Sequence, residues 1–328
     1  MRLSILDYSE IRSGASPEIA FRETVQLAQA AERWGYTRYW VSEHHGNDVL
    51  AGSAPEVLVS SLAASTQGQI RIGSGGVMLP MHSPFKVAEN FSVLSALYPG
   101  KIDLGIGRST GGRAEASTAL LDGRSGSFRH YPDQVNKLAG YMRGIGTAVT
   151  PKAASSPDLW LLSGSENGAQ IAADNGMNLA VGHFVRGRAG RETVQRYRTD
   201  FKAFHAGDQP QVLVSLFAVC GRTEEEAQQL ASVFDDYLLD IGEGGSLQTV
   251  PSIAEVQSRT YTEDQKQKGV AGRSRMVVGD PQSVRRQLIT LANFYEADEM
   301  MLATVSPDFE MKMRMYEQLA EVFQLSNH

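Results

Sequence analysis

Short runs rich in β-branched and large apolar residues alternate with longer stretches of helical period along this chain, the arrangement that βα units need to close around a parallel sheet. The runs lie near Leu3 to Leu6, Arg38 to Val41, Ile70 to Gly73, Ile102 to Ile106, Leu159 to Leu162, Leu179 to Val181, Gln211 to Val219 and Glu299 to Thr304. Eight such runs in 328 residues predict an α/β fold of the (β/α)8 barrel class, one domain spanning residues 1–328. Between the runs, Phe21, Val25, Leu27, Ala28 and Ala31 form one apolar stripe, with Glu23, Gln26 and Arg33 on the wet side. A second stripe, Val284, Leu288, Leu291 and Ala292, follows Gly279-Asp280-Pro281, where Asp280 is placed to cap a helix and Pro281 to open it.

Two stretches exceed the minimal repeat. Residues 110–157 carry Gly111-Gly112, Gly123, Ser125-Gly126-Ser127, Arg113, Arg124 and Arg129, with a helical piece around Val135 to Met142; residues 234–275 are polar and carry Gly242, Gly244, Gly245 and Gly272. Both follow strands, so both are expected as loop insertions at the C-terminal face of the barrel, where lids and substrate loops are built, or else as solvated surface excursions. A hydrophobic content of 42% and a charged content of 21% leave room for a large core. The net charge of −6 provides no basic field, so nucleic acid is not expected as a partner. The opening Met-Arg-Leu-Ser-Ile-Leu-Asp reaches charge too soon for a secretory signal, and no apolar run nears the ~18 residues that span a bilayer, so a cytoplasmic protein without a membrane segment is expected. The single Cys220, at the end of Val-Leu-Val-Ser-Leu-Phe-Ala-Val, reads as packing.

Residues suited to chemistry cluster at the predicted strand ends. Glu43-His44-His45 follows the second strand, where barrel enzymes carry catalytic groups. His44 is read as an acid/base group, against a structural histidine or a metal ligand; His45 is read as structural or supporting, and no metal site is expected. Gly73-Ser74-Gly75-Gly76 ends the third strand with few side chains, which suits either a flat ligand against the backbone or a tight turn. Gly105-Ile-Gly-Arg108-Ser109-Thr-Gly111 imitates a dinucleotide fingerprint, but its last glycine comes one residue late and no clear helix opens after it. Arg108 is instead suited to fork onto a phosphate. Ser163-Gly164-Ser165-Glu166-Asn167-Gly168 leads into a helix around Ala169 to Asp174, so its free amides form an anion cradle or simply a cap.

Taken in order, Leu3 to Asp7, Tyr39-Trp-Val-Ser-Glu-His-His45, Ser53-Ala-Pro-Glu-Val57, Gly73 to Pro80, Pro84 to Glu89, Gly100 to Arg108 and Leu162-Ser-Gly-Ser165 resemble the bacterial-luciferase-like flavin monooxygenases over nearly the whole chain. The resemblance implies a TIM barrel that holds FMN at the carboxyl ends of its strands. Arg108, Ser109 and Gly164, Ser165, Asn167 and Gly168 would then surround the phosphate. Ser74, Gly75 and Gly76 would lie under the isoalloxazine, with a non-prolyl cis peptide at Ser74-Gly75. It further implies His44 as the acid/base group, and Asp7, Ser9, His45 and Met78 around the substrate pocket, with turn capping as the other role for Asp7 and Ser9. The implied reaction passes reduced FMN and O2 through a C4a-(hydro)peroxyflavin to oxidise a small organic substrate, with reduced flavin delivered by a separate flavin reductase. A homodimer through Ser53 to Ser65 and Phe85 to Leu97 is also implied. Two readings compete: an F420-dependent oxidoreductase on the same barrel, and a flavin-binding protein without turnover.

Overall fold

The computed structural model describes residues 1–123, 128–187 and 190–325. Nine parallel strands form one sheet: β1 (Arg2–Asp7), β2 (Arg38–Val41), β3 (Arg71–Met78), β4 (Ile102–Gly107), β5 (Asp158–Leu162), β6 (Asn178–Gly182), β7 (Val212–Cys220), β8 (Met276–Gly279) and β9 (Glu299–Ala303). β1 through β7 pair consecutively, and β9 bridges β7 and β1, which closes an eight-stranded barrel. All eight expected runs are its staves. β8 is the addition: it pairs only with Phe217–Cys220, the upper half of β7, beyond the stretch that β9 occupies. At four residues after a polar helix it gives too brief a pattern to stand out.

Alternation along the strands sorts two cores. Leu3 and Ile5 of β1 and Tyr39 and Val41 of β2 pack outward against the surrounding helices, whereas Leu6, Trp40, Trp160 and Met301 pack inside the barrel. Trp40 and Trp160 meet edge to face at 5.5 Å and fill the barrel's middle. Their bulk explains the glycines of β3. A methyl group on Gly73 would come within 2.8 Å of the Trp40 indole nitrogen, and one on Gly75 within 2.8 Å of Leu6. The glycine run therefore lies within the strand, not in a tight turn, and at Gly73 and Gly75 the missing side chains make room for the barrel interior. The non-prolyl cis peptide is Gly75-Gly76, one bond later than Ser74-Gly75, at the only bond of the run that has glycine on both sides.

The helix Pro281–Tyr295 opens as the sequence indicated, with the Asp280 carboxylate accepting from the Ser283 amide at 2.7 Å. The two long stretches hold more helix than expected. Ala114–Leu121 and Tyr131–Met142 occupy the first; Arg124 and Ser125 to Ser127 lie outside the described residues. Phe234 stands in the middle of the helix Glu224–Gly242, buried between Phe217 and Tyr237, and the helices Ile253–Ser258 and Glu263–Arg273 follow, each opened by a capping box. Cys220 is buried at the end of β7, and burial pushes its thiol up to about 12, as packing rather than reactivity demands. Among the described residues no helix is long and apolar enough to cross a membrane.

Candidate active site

The carboxyl ends of β2, β3 and β4 open into a cleft of about 410 Å³, whose far wall is the end of the helix Glu224–Gly242 and the loop after it. His44, His45, Met78 and Ser109 line one side, and Tyr237 and Leu247 the other. The loop is tied across the barrel mouth at three points. Arg113 donates to the Gly245 carbonyl, Gln248 to the Asp48 carboxylate at 3.1 Å, and the amide of Val250 to the Ile11 carbonyl at 2.8 Å. Asp240 steadies its base by accepting from the amide and hydroxyl of Ser246.

His44 is fixed by a 2.9 Å contact between Nδ1 and the Ser42 hydroxyl and by the edge of the Tyr8 ring, 5.6 Å away between centroids. Burial pulls its imidazole down to about 4, with His45 acting in the same direction and Glu43 against it. The ring is therefore neutral at physiological pH and free to accept a proton. Next to it, the Glu43 carboxylate accepts from Nε2 of His45 and Nε2 of His82, both at 2.7 Å, and from the Met78 amide at 2.8 Å. Burial alone would raise this carboxyl, but those bonds outweigh it and hold it below the usual range.

A second depression, of about 210 Å³, begins where the cleft ends: Arg108 lines the one and Ser109, its neighbour, the other. Arg108, Ser163, Ser165, Asn167 and Gly168 surround it, with Gly164 in the loop between the two serines. Ser165 caps the helix Glu166–Asp174 by accepting from the Gly168 amide at 3.3 Å. Arg129 and Tyr131 also line it. Tyr131 is buried, and its hydroxyl finds no hydrogen-bond partner among the described residues. Burial raises the phenol above its ordinary value, against the pull of Arg108, so it stays a donor. A buried donor left unpaired costs about 1–3 kcal/mol, and an anion between it and Arg108 would relieve that cost. The donor set fits a phosphate.

A family model described as luciferase-like monooxygenase matches residues 1–295. The chain belongs to that family. The protein YwcH of Bacillus subtilis (strain 168) is 44% identical to it over 98% of both chains, and the N-acetyl-S-alkylcysteine monooxygenase of the same strain 32% identical over 98% of both. Among solved structures, apo-MsnO8 shares 32% identity and a TM-score of 0.91, covering 100% of this chain and 99% of its own. More distant structures share the fold alone. The oxygenating constituent of 3,6-diketocamphane monooxygenase from Pseudomonas putida, in complex with FMN, has 16% identity and a TM-score of 0.71 over 98% and 97% of the chains. An F420-dependent secondary alcohol dehydrogenase has 12% and 0.68 over 98% of both.

Within this luciferase-like monooxygenase the expected site residues separate into groups. His44, His45, Met78 and Ser109 meet in the cleft, and Arg108, Ser165, Asn167 and Gly168 in the adjoining depression. Ser74, Gly75 and Gly76 are buried in β3, where the Ser74 hydroxyl donates to the Gly105 carbonyl at 2.9 Å. Asp7 and Ser9 do not line the cleft. Asp7 points outward from β1 to Lys312, whose ammonium lies 2.6 Å away, and the Thr24 hydroxyl donates to Asp7 at 2.7 Å and lies 2.9 Å from the Ser9 hydroxyl. Strand alternation decides this, because the last side chain of β1 faces the helices. Tyr131 and His82 escaped the sequence reading. The Tyr131-Pro132 pair at a helix start was the available signal for the first, and His82 carried none.

Proposed function

We propose that this chain is the oxygenating component of a two-component monooxygenase that takes reduced FMN from a separate flavin reductase and uses O2 to oxidise a small organic substrate. The observation that carries the cofactor reading is the buried Tyr131 hydroxyl, which lines the same depression as Arg108 and has no hydrogen-bond partner among the described residues. With FMN bound there, the phosphate would be held by Arg108, Tyr131 and the amides at the start of the helix Glu166–Asp174, and the ring system would extend past Ser109 into the cleft. Reduced FMN supplies the two electrons with which one atom of O2 enters the substrate and the other leaves as water. The chain's own residues supply the rest. His44 is a neutral base at the cleft, and the loop tied through Arg113 and Gln248 shields the cleft from solvent. The two-component arrangement is supported by the diketocamphane monooxygenase, in which the chain of this fold is the oxygenating constituent.

Arg108→Ala is expected to weaken FMN binding by roughly 10- to 100-fold, and Tyr131→Phe by less, since a hydrogen bond to a charged group contributes about 1.5–3 kcal/mol. Isothermal titration with FMN and with riboflavin checks it. If both variants bind FMN like the parent, the phosphate is held elsewhere.

A homodimer is proposed through the helices Pro55–Ser65 and Pro84–Leu97, which bury one face on the barrel and still expose Val57, Val93 and Leu97. Sedimentation velocity should show two copies at micromolar concentration, and Val57→Lys with Leu97→Lys should return the monomer.

A further inference from the structure

Glu43 and His45 alone offer too few ligands for a metal ion. Folding adds His82, which the turn Leu79–Met81 after β3 brings to the same carboxylate. One oxygen of Glu43 lies 2.7 Å from Nε2 of His45 and 2.7 Å from Nε2 of His82, and the three ligand atoms all fall within 4.8 Å of one another. We propose that Glu43, His45 and His82 form a binding site for a divalent first-row transition metal ion, with zinc as the ion that probes it. Glu43 and His45 line the cleft, and His82 lines a neighbouring depression of about 300 Å³. The site stands on these three side chains and does not rest on the oxygenase reading.

The donor set decides the class of ion. Two imidazole nitrogens and one carboxylate oxygen suit zinc and its first-row neighbours, whereas magnesium and calcium take oxygen ligands. Around a tetrahedral zinc, with bonds of about 2.0–2.1 Å, ligand atoms stand about 3.3 Å apart, so the two short contacts need to open by roughly 0.6 Å. The imidazoles have that freedom, because the His45 and His82 side chains are 13% and 28% exposed while that of Glu43 is 1% exposed. Three protein ligands leave a fourth position for water or a small anion.

Each ligand is also held from behind, as metal sites require. The second oxygen of Glu43 accepts from the Met78 amide at 2.8 Å. The His45 amide donates to the Gly111 carbonyl at 2.7 Å, and the His82 amide to the Leu79 carbonyl at 3.1 Å. No lysine or arginine among the described residues pairs with Glu43 in place of an ion. Lys86, beside His82, pairs with Glu89, and Arg113, across the cleft, donates to the Gly245 carbonyl. On binding, each neutral imidazole turns its Nε2 lone pair to the ion and carries its one proton on Nδ1 instead. Two N–H···O hydrogen bonds are thereby exchanged for two nitrogen–metal bonds, and the ion ties the end of β2 to the turn after β3.

Zinc titration of the untagged, metal-free full-length protein, in competition with a chromophoric zinc indicator, tests the site. One zinc per chain at submicromolar concentration is expected, unmoved by millimolar magnesium. His82→Gln and, separately, His45→Gln should each weaken binding by at least roughly 10- to 100-fold, since losing a group that merely supports a ligand already costs that much. His205→Gln, which changes an exposed histidine in another loop, should leave it unchanged. X-ray absorption at the zinc edge of the loaded parent should show two imidazoles and one carboxylate, and it decides alone if both site variants fail to fold. Absence of binding at micromolar zinc, binding that survives both site variants, loss of binding in His205→Gln, or a coordination shell with fewer than two imidazoles would overturn the proposal. Failure of FMN to bind would leave the zinc result intact and would count against the oxygenase reading alone.

Discussion

His44→Ala is expected to lower turnover by roughly 100- to 10,000-fold, the range for losing a positioned acid/base group, while leaving FMN affinity within a factor of about two. The separation follows from geometry, since His44 lines the cleft and no part of the depression around Arg108. The direction of the pH dependence follows from its surroundings. A base works when deprotonated, and burial places the imidazole of His44 near 4 instead of the usual ~6.5, so activity should hold from neutral pH down to about pH 5 and fall only as pH drops through 4. An ordinary surface histidine would already fail near pH 6. Comparing the parent's profile with that of His44→Gln checks the assignment. An acid limb between 6 and 7 that persists in the variant would assign the base elsewhere.

Arg38→Met should cost about 3–5 kcal/mol of stability at neutral pH, the range for breaking a buried ion pair. Arg38 stands at the bottom of the barrel, its side chain 4% exposed, where it donates to Asp103 at 2.8 Å and to both oxygens of Glu299 at 3.1 Å and lies over the Trp160 ring. Burial disfavours its charge, but the two carboxylates prevail and raise its proton affinity. Arg71 and the Trp40 indole also serve Asp103, so removing Arg38 strands Glu299 more than Asp103. Among the described residues, the Ser4 hydroxyl then remains on it with Arg2 nearby. Arg38→Met combined with Glu299→Met should recover most of the loss, since an apolar pair leaves no uncompensated charge. Equilibrium urea unfolding reads both. A single variant within 1 kcal/mol of the parent would show that water reaches the cluster.

Much of this architecture was legible in the chain. The staves of the barrel showed as strand runs between amphipathic stripes because each strand has buried faces and each helix one, and the caps at Asp280 and Ser165 showed because they need particular side chains in particular places. The role of Gly73 and Gly75 was not legible. A glycine run says that side chains are absent, but whether a ligand or an indole fills the space depends on Trp40, which arrives from another strand. Asp7 and Ser9 kept two readings, pocket lining and turn capping, because alternation fixes the direction of Asp7 only once the inner side of β1 is known. His82 joined the site only through folding, as its partner Glu43 lies 39 residues earlier.

The most direct test of the central claim is anaerobic titration of the protein with reduced FMN and, separately, with reduced F420, read by flavin absorbance and followed by admission of oxygen. Saturable binding of reduced FMN at one site per chain, weakened by Arg108→Ala, with oxygen consumed by the bound flavin, is the expected result. Tighter binding of F420 than of FMN, or FMN binding unaltered by Arg108→Ala, would contradict it.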